Sequence, residues 1–160
     1  MSDDKLLRIY LNDHLAGALA GIEVAKRCRS SNEGTPLGDH LASFIIEIEE
    51  DRNELMRIRE NLGLRYDPYK SAAAWVGEKL GRAKLNGRLT DYSPLSRLWE
   101  LEALCLGVEG KLSLWRSLKE IAGGDQRFAA FDLDRLEKRA MSQREQLEVH
   151  RLEAARTALV

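Results

Sequence analysis

The chain has 160 residues, of which 44% are hydrophobic and 32% are charged, and it contains only 3 Pro and 12 Gly. This length suits one domain, and this composition excludes a proline-rich or low-complexity linker. The 25 Lys and Arg residues face 26 Asp and Glu residues, which gives a formal charge of -1. Because proteins that grip nucleic acid usually carry a basic excess or stripe, we expect no nucleic-acid partner.

Two long helices joined by a short polar turn are predicted in the first third of the chain. The first runs from about Asp3 to Arg29, and the second runs from Pro36 to about Asn61, where Thr35 and Pro36 form a helix start signal. Residues spaced alternately by four and three mark one face of each helix. In the first helix they are Leu7, Leu11, His14, Ala18, Gly21, Ala25 and Cys28. In the second they are Leu37, Leu41, Phe44, Ile48, Asp51, Leu55, Ile58 and Leu62.

A connector over residues 63–93 separates this hairpin from a second one. Within the connector, a shorter amphipathic helix is predicted from about Tyr69 to Leu85. Ser93 and Pro94 repeat the start signal and open a third long helix to about Ile121, and Asp132 caps a fourth. The third helix has the stripe Leu98, Leu101, Cys105, Val108, Leu112 and Trp115. The fourth has Leu133, Leu136, Ala140, Gln143, Leu147, His150 and Ala154.

The lengths of the connections predict how these helices are arranged. Short links join the first helix to the second and the third to the fourth, so each pair should run antiparallel. The long connector can return along the bundle between the two pairs. Two hairpins joined by one long crossover resemble the ferritin-like superfamily. We therefore predict an all-α, antiparallel four-helix bundle with one long helical crossover, which forms a single domain over residues 1–160.

The resemblance to ferritin-like proteins also implies a dinuclear metal centre. Metal-binding members build it from a Glu on each of two helices and a Glu-x-x-His on each of the other two. In this chain a leucine stands three positions before each histidine, so no Glu-x-x-His occurs at His14, His40 or His150. We therefore expect an atypical member without this centre. It would be a structural or interaction module rather than an enzyme, and it would have no resident cofactor. A homodimer is one assembly that such a module could form.

Polar residues nevertheless interrupt or flank the apolar stripes at two levels of the predicted bundle. One level lies near the middle and holds His14, Asp51, Glu109 and Gln143. The other is closer to the end that carries the first turn, and it holds Glu102 and His150. Buried ionisable groups need partners. One interpretation is a buried polar network that fixes the packing of the helices.

The alternative interpretation of these residues is a non-standard metal site. His14, Asp51 and Glu109 would then be ligands at one position, and Glu102 with His150 would form a second. Carboxylate and imidazole ligands suit iron, manganese or zinc, and the redox-active metals permit oxidase, peroxidase or storage chemistry. In this interpretation the chain is a metal-binding oxidoreductase or a metal-handling protein.

The first helix also contains a run of small residues, Ala16–Gly21, that includes two glycines. Because glycine weakens a helix by about 1 kcal/mol relative to alanine, a packing reason is expected. We expect close approach of a neighbouring backbone, or room for Phe44 of the second helix. The alternative is a cavity lined by Ala18, Gly21 and Ala25, which could hold an apolar ligand.

The remaining features concern location. Cys28 and Cys105 do not form a disulfide framework, and neither lies in a Cys-x-x-Cys pair. The acidic N-terminus shows no secretory signal. The longest apolar stretch near it, His14–Ile22, is half the length that a membrane span needs. We therefore expect a cytoplasmic protein with reduced thiols and no membrane partner.

Overall fold

The computed structural model describes residues 3–65 and 92–160, which form four α-helices, one 3-10 turn and no strand. The helices are α1 (Asp3–Ser30), α2 (Pro36–Asn61), α3 (Pro94–Ala122) and α4 (Leu133–Leu159), and the 3-10 turn is Gln126–Phe128. This confirms the prediction of an all-α chain with four long helices. The ends predicted for the first and third helices each fall one residue short. The helix predicted from Tyr69 to Leu85 lies outside the described residues.

The three later helices begin at the side-chain caps that the sequence predicts. Thr35, Ser93 and Asp132 each accept a hydrogen bond from the backbone N–H three residues later, at 3.2, 3.1 and 2.9 Å. A proline follows each of the first two caps and needs no hydrogen-bond partner at that position. The caps satisfy donors that would otherwise be left unpaired at the helix starts, and so they fix where α2, α3 and α4 begin.

The turn between α1 and α2 depends on two glycines. Gly34 has a φ of 74°, a left-handed conformation that side chains rarely adopt. A Cβ at Gly38 would lie 2.2 Å from the carbonyl oxygen of Asn32, so the turn closes only around a glycine. Asn32 is buried, and its Nδ2 donates to the carbonyl oxygen of Cys28 at 2.7 Å. The end of α1 is therefore tied closely to the start of α2.

The core consists of two apolar clusters. One gathers the C-terminal part of α1, the N-terminal halves of α2 and α3 and the C-terminal half of α4. The other gathers the opposite parts of the four helices, including the fully buried Trp115, together with Phe128 of the 3-10 turn. Asp51, Lys111 and Gln143 each fall, in chain order, between residues of the first cluster and residues of the second. A polar interruption therefore occurs where the two apolar clusters meet.

The contacts between helices are uneven. α1 packs against both α2 and α3, and the most extensive contact is that between α3 and α4. The backbones of α2 and α4 approach each other less closely. Long polar side chains span the α2–α4 seam, as described below. Throughout residues 3–65 and 92–160, no helix is both long enough and apolar enough to cross a bilayer.

The small-residue run in α1 has two glycines with no neighbouring backbone against them in the described part of the chain. A Cβ added at Gly17 or Gly21 would meet no atom of the described residues within 4 Å. The expected close approach of a neighbouring backbone is therefore not seen at these glycines within residues 3–65 and 92–160. Both positions are half-buried.

Candidate functional site

A network of charged and amide side chains fills the junction between the two apolar clusters. We call it the central cluster, and it consists of Glu47, Glu50, Asp51, Lys111, Arg139 and Gln143. At its centre, Lys111 Nζ donates to Asp51 Oδ2 at 2.5 Å and also to Gln143 Oε1. The Asp51 side chain is 1% exposed, and Gln143 is almost as deeply buried. Three helices thus meet at the ammonium group of a single lysine.

Further contacts extend this network to the protein surface. Arg139 of α4 donates to the second carboxylate oxygen of Asp51 and, through Nη1, to Glu50 Oε2 at 2.7 Å. Gln143 Nε2 donates to Glu47 Oε2 at 2.7 Å. Each carboxylate oxygen of Asp51 therefore has a cationic partner. The same contacts hold α2 against α4, where the two backbones are farther apart.

The electrostatics of the central cluster reflect its burial. Burial lowers the pKa of Lys111, while the adjacent Asp51 carboxylate acts in the opposite direction. Burial also works against the charge of Arg139, but the neighbouring Asp51 and Glu50 carboxylates raise its pKa overall. Charges withdrawn from water are tolerated only when they are paired and hydrogen-bonded. The central cluster meets that requirement with groups from its own chain.

The four polar residues predicted to lie together at the middle level are found in three separate places. Asp51 and Gln143 come together in the central cluster. His14 is half-buried on α1, with its ring edge-on to Tyr10 at 4.6 Å between centroids, and burial lowers its pKa. Glu109 is exposed and pairs with Arg144 of α4 at 2.5 Å. Two of the four residues at this level thus share a network, and the other two have other partners.

The predicted second level is also divided. Glu102 faces Arg151, whose Nη1 lies 3.8 Å from the carboxylate, on the outer side of the α3–α4 contact. His150 of α4 stacks on His40 of α2, with ring centroids 4.8 Å apart. Burial, followed by the charge of His150, lowers the pKa of His40. Where the structure is described, no group of three or more His, Cys, Asp or Glu side chains could hold a metal ion.

Sequence reasoning did not identify Lys111 and Arg139, which complete the central cluster. A signal for both was present. A carboxylate in an apolar stripe requires a buried cation. Lys111 follows Val108 of the third stripe by three residues, and Arg139 precedes Gln143 of the fourth by four. Both spacings put a residue on the same side of its helix as the stripe.

A second buried polar group, the end cluster, lies where α1 ends and α3 begins, and it consists of Arg27, Cys28, Asn32, Tyr92 and Glu100. Glu100 is buried, and its two carboxylate oxygens accept from Arg27 Nε at 2.6 Å and from the Tyr92 hydroxyl at 3.0 Å. Asn32 Nδ2 donates to the same hydroxyl at 2.9 Å. Of its five members, Cys28 alone belongs to one of the sequence stripes.

The end cluster contains no reactive thiol. Cys28 is fully buried, and its Sγ lies 3.8 Å from the Tyr92 hydroxyl oxygen. Burial, reinforced by the charge of Glu100, raises the pKa of the Cys28 thiol to about 12. Burial likewise raises the pKa of Tyr92. Because the thiolate is the nucleophile, a thiol held protonated in this way is suited to packing rather than to catalysis.

Comparison with protein-family models, with curated proteins and with solved structures finds no match to this chain. The basis for a functional proposal is therefore the geometry of the chain itself. The central cluster is its most distinctive part, because it combines deep burial, three helices and groups of both charges.

Proposed function

We propose that this chain is an antiparallel, ferritin-like four-helix bundle that serves as a structural or interaction module. The composition of the two apolar clusters supports the antiparallel arrangement. The start of α1 shares a cluster with the ends of α2 and α3 and with the start of α4. This grouping is expected when both hairpins are antiparallel and the long connector returns along the bundle.

The observation that carries the proposal is the position of Lys111. In ferritin-like metal proteins, inward-facing carboxylates hold metal cations in the middle of the bundle. Here the ammonium group of Lys111 and the guanidinium group of Arg139 occupy both oxygens of the buried Asp51 carboxylate. Cationic side chains thus neutralise the buried carboxylate, as a metal ion does in those proteins. This favours a structural role for the polar core over a redox role.

The other residues considered as ligands support the same conclusion. Glu102 and Glu109 are engaged with arginines on the outer side of the α3–α4 contact. His14 and His150 make ring contacts with different neighbours. This arrangement does not fit a dinuclear centre among the described residues, because the donors do not converge and the buried Asp51 carboxylate is already neutralised.

Metal analysis tests this proposal directly. The purified, untagged protein is incubated with iron, manganese or zinc, dialysed, and analysed by inductively coupled plasma mass spectrometry. We expect no stoichiometric metal in the native chain. Retention of roughly one or two ions per chain, as a mononuclear or dinuclear site would require, would overturn the proposal.

Two variants make the metal measurement specific. His14→Ala removes a half-buried imidazole and leaves the central cluster in place. Glu100→Gln neutralises a buried carboxylate in the end cluster and serves as the matched control. Metal that is lost from His14→Ala but kept by Glu100→Gln would assign the ion to the predicted ligand set, and the chain would then be a metal-handling protein.

A further inference from the structure

The side of α3 that points away from the core is uncharged along its whole length. We call it the α3 outer face, and its positions are spaced four, four, three, four, three, four and four residues apart. Its first half carries Leu95, Trp99, Ala103 and Leu106. Its second half carries Gly110, Ser113, Ser117 and Ile121. The helical repeat places all of these positions on one side of α3.

This surface exposes large apolar side chains to solvent. Leu106 is 75% exposed and Trp99 is 54% exposed, and both lie on the α3 outer face. Val149 and Leu152 on α4 are also exposed, but the outward side of α4 places Glu145 and Arg156 among them. A continuous uncharged strip with exposed aromatic and aliphatic groups marks an interaction surface, whereas single exposed apolar residues are ordinary.

Charged pairs border the strip on its α4 side. Glu102 faces Arg151, and Glu109 pairs with Arg144. These ion pairs keep their charges beside the strip and leave its centre free of charge. An apolar centre with a polar rim is the usual organisation of a protein–protein interface.

The sequence of the strip identifies its partner, because the spacing is the same when read from either end. When a second α3 helix is laid antiparallel across the level of residue 108, Leu106 faces Gly110 of the other copy and Trp99 faces Ser117. Ala103 then faces Ser113. Leu106 and Trp99 thus each meet a small residue, whereas at the two ends of the strip Leu95 faces Ile121 and forms an apolar pair. Each contact occurs twice. Self-complementarity of this kind is what a two-fold symmetric interface requires.

The size of the surface also suits a dimer. From Leu95 to Ile121, α3 extends over about 39 Å at 1.5 Å per residue. With the adjoining edges of α1 and α4, the surface is about 20 Å wide, given helices spaced about 10 Å apart. The resulting area is roughly 800 Å² per copy, which is the area that a standard specific interface buries on each partner.

We propose that the α3 outer face is the interface of a two-fold symmetric homodimer in which the two α3 helices pack antiparallel. This inference deepens the proposed interaction role by naming the partner, and it rests on that role. It assigns Glu102 and Glu109 to the rim of the interface. It also explains why the most exposed apolar side chains of α3 stand opposite the core.

The first test is the mass in solution, measured by sedimentation equilibrium at micromolar concentrations. We expect the native chain to be a dimer and Leu106→Arg to be a monomer, a twofold loss of mass with unchanged helical content. Val149→Arg is the matched control, since Val149 is 65% exposed but lies outside the strip, and this variant should remain dimeric. A monomeric native chain, or a Leu106→Arg variant that stays dimeric, would overturn the proposal.

The second test examines the register of the two helices. In a Cys105→Ser background, the double variant Trp99→Cys/Ser117→Cys should form a covalent dimer on mild oxidation, because the two positions face each other across the interface. Within one chain they are about 27 Å apart along the helix, which is beyond the reach of a disulfide. Each single variant should stay uncrosslinked. Its introduced cysteine does not face the same position of the other copy, which lies about 27 Å away along the interface. Crosslinking of the single variants as efficient as that of the double variant would refute the antiparallel register.

The outcomes of these tests separate the two proposals. Stoichiometric metal in a chain that still dimerises would overturn the proposed role of the central cluster and leave the interface standing. A metal-free chain that is monomeric would overturn the interface alone. If the chain is monomeric and a thiol introduced at position 99 resists alkylation, another segment or partner covers the strip, and the second-copy assignment is wrong.

Discussion

The central cluster and the end cluster each bury one carboxylate between helices, but they neutralise it differently. Asp51 in the central cluster is held by two cations, Lys111 and Arg139, which are themselves largely shielded from solvent. Glu100 in the end cluster is held by the neutral Tyr92 hydroxyl and by Arg27, whose side chain is 55% exposed. The first arrangement places a buried carboxylate between two shielded cations and reaches the surface at Glu50, and the second is a hydrogen-bonded group where α1 ends and α3 begins.

This difference teaches which cluster fixes the structure. Removing one member of a buried ion network leaves its partners charged and unpaired in a poorly solvated place, whereas an exposed arginine can turn to water. The central cluster should therefore dominate the response of stability to substitution. The end cluster should act as a local brace for the turn between α1 and α2 and for the start of α3.

The largest predicted effect is that of Asp51→Asn. The substitution keeps the shape of the side chain but removes the charge that neutralises Lys111 and Arg139. We expect the free energy of unfolding to fall by about 3 kcal/mol, as for other broken buried ion pairs. Urea denaturation followed by circular dichroism at a fixed protein concentration measures this change, because the stability of a dimer depends on concentration.

The double variant Lys111→Met/Asp51→Leu provides the control for that prediction. It replaces both charges with apolar groups, so no member of the Lys111–Asp51 pair is left unpaired. Its cost should be well below the sum of the costs of Lys111→Met and Asp51→Leu measured singly. If the two single effects simply add, Lys111 and Asp51 do not act as a pair, and the central cluster is not the coupled network described here.

A smaller effect is predicted for Glu100→Gln in the end cluster. The amide oxygen can still accept from the Tyr92 hydroxyl, and Arg27 is already exposed to water. We therefore expect a loss of only about 1 kcal/mol in the free energy of unfolding. The same urea titration is used as for Asp51→Asn. A loss as large as that of Asp51→Asn would remove the distinction between the two clusters.

The sequence predicts the helices well and the partners of their polar side chains poorly. Spacing and caps locate all four helices, because Thr35, Ser93 and Asp132 act on neighbouring residues in the chain. The same spacing puts Asp51 and Gln143 on buried faces, and both are buried. Such local signals depend only on the helical repeat.

The side chains that complete each cluster could not be obtained in this way. Lys111 reaches Asp51 and Gln143 on two other helices, and Glu109 meets Arg144 rather than a central site. These contacts depend on the relative height and rotation of neighbouring helices, and long flexible side chains add further freedom. The spacing of residues within a single helix determines neither the relative height nor the relative rotation of its neighbours. The candidate ligands His14, Glu102 and His150 were therefore chosen by level alone.

The smallest predicted effect is a change of stability with pH. It is expected at the α2–α4 seam and not at the end cluster. The His40–His150 stack lies on this seam, as does the central cluster, whereas the end cluster contains no histidine. The pKa of His40 is lowered by burial and then by the charge of His150, with Glu47 acting in the opposite direction. The unfolded chain therefore binds a proton at His40 more readily than the folded chain does.

The sign of the pH effect follows from this difference in proton affinity. Between the lowered pKa of folded His40 and its ordinary value near 6.5, the unfolded state binds more protons, so stability falls as the pH falls through this range. We expect the native chain to be less stable near pH 5.5 than near pH 7.5, and His40→Gln to lose less stability over the same interval. Urea titrations at both pH values measure the change. Because His14 also has a lowered pKa, His14→Gln is the matched comparison for a histidine away from the seam. A His40→Gln variant as sensitive to pH as the native chain would show that protonation of the stack does not oppose folding.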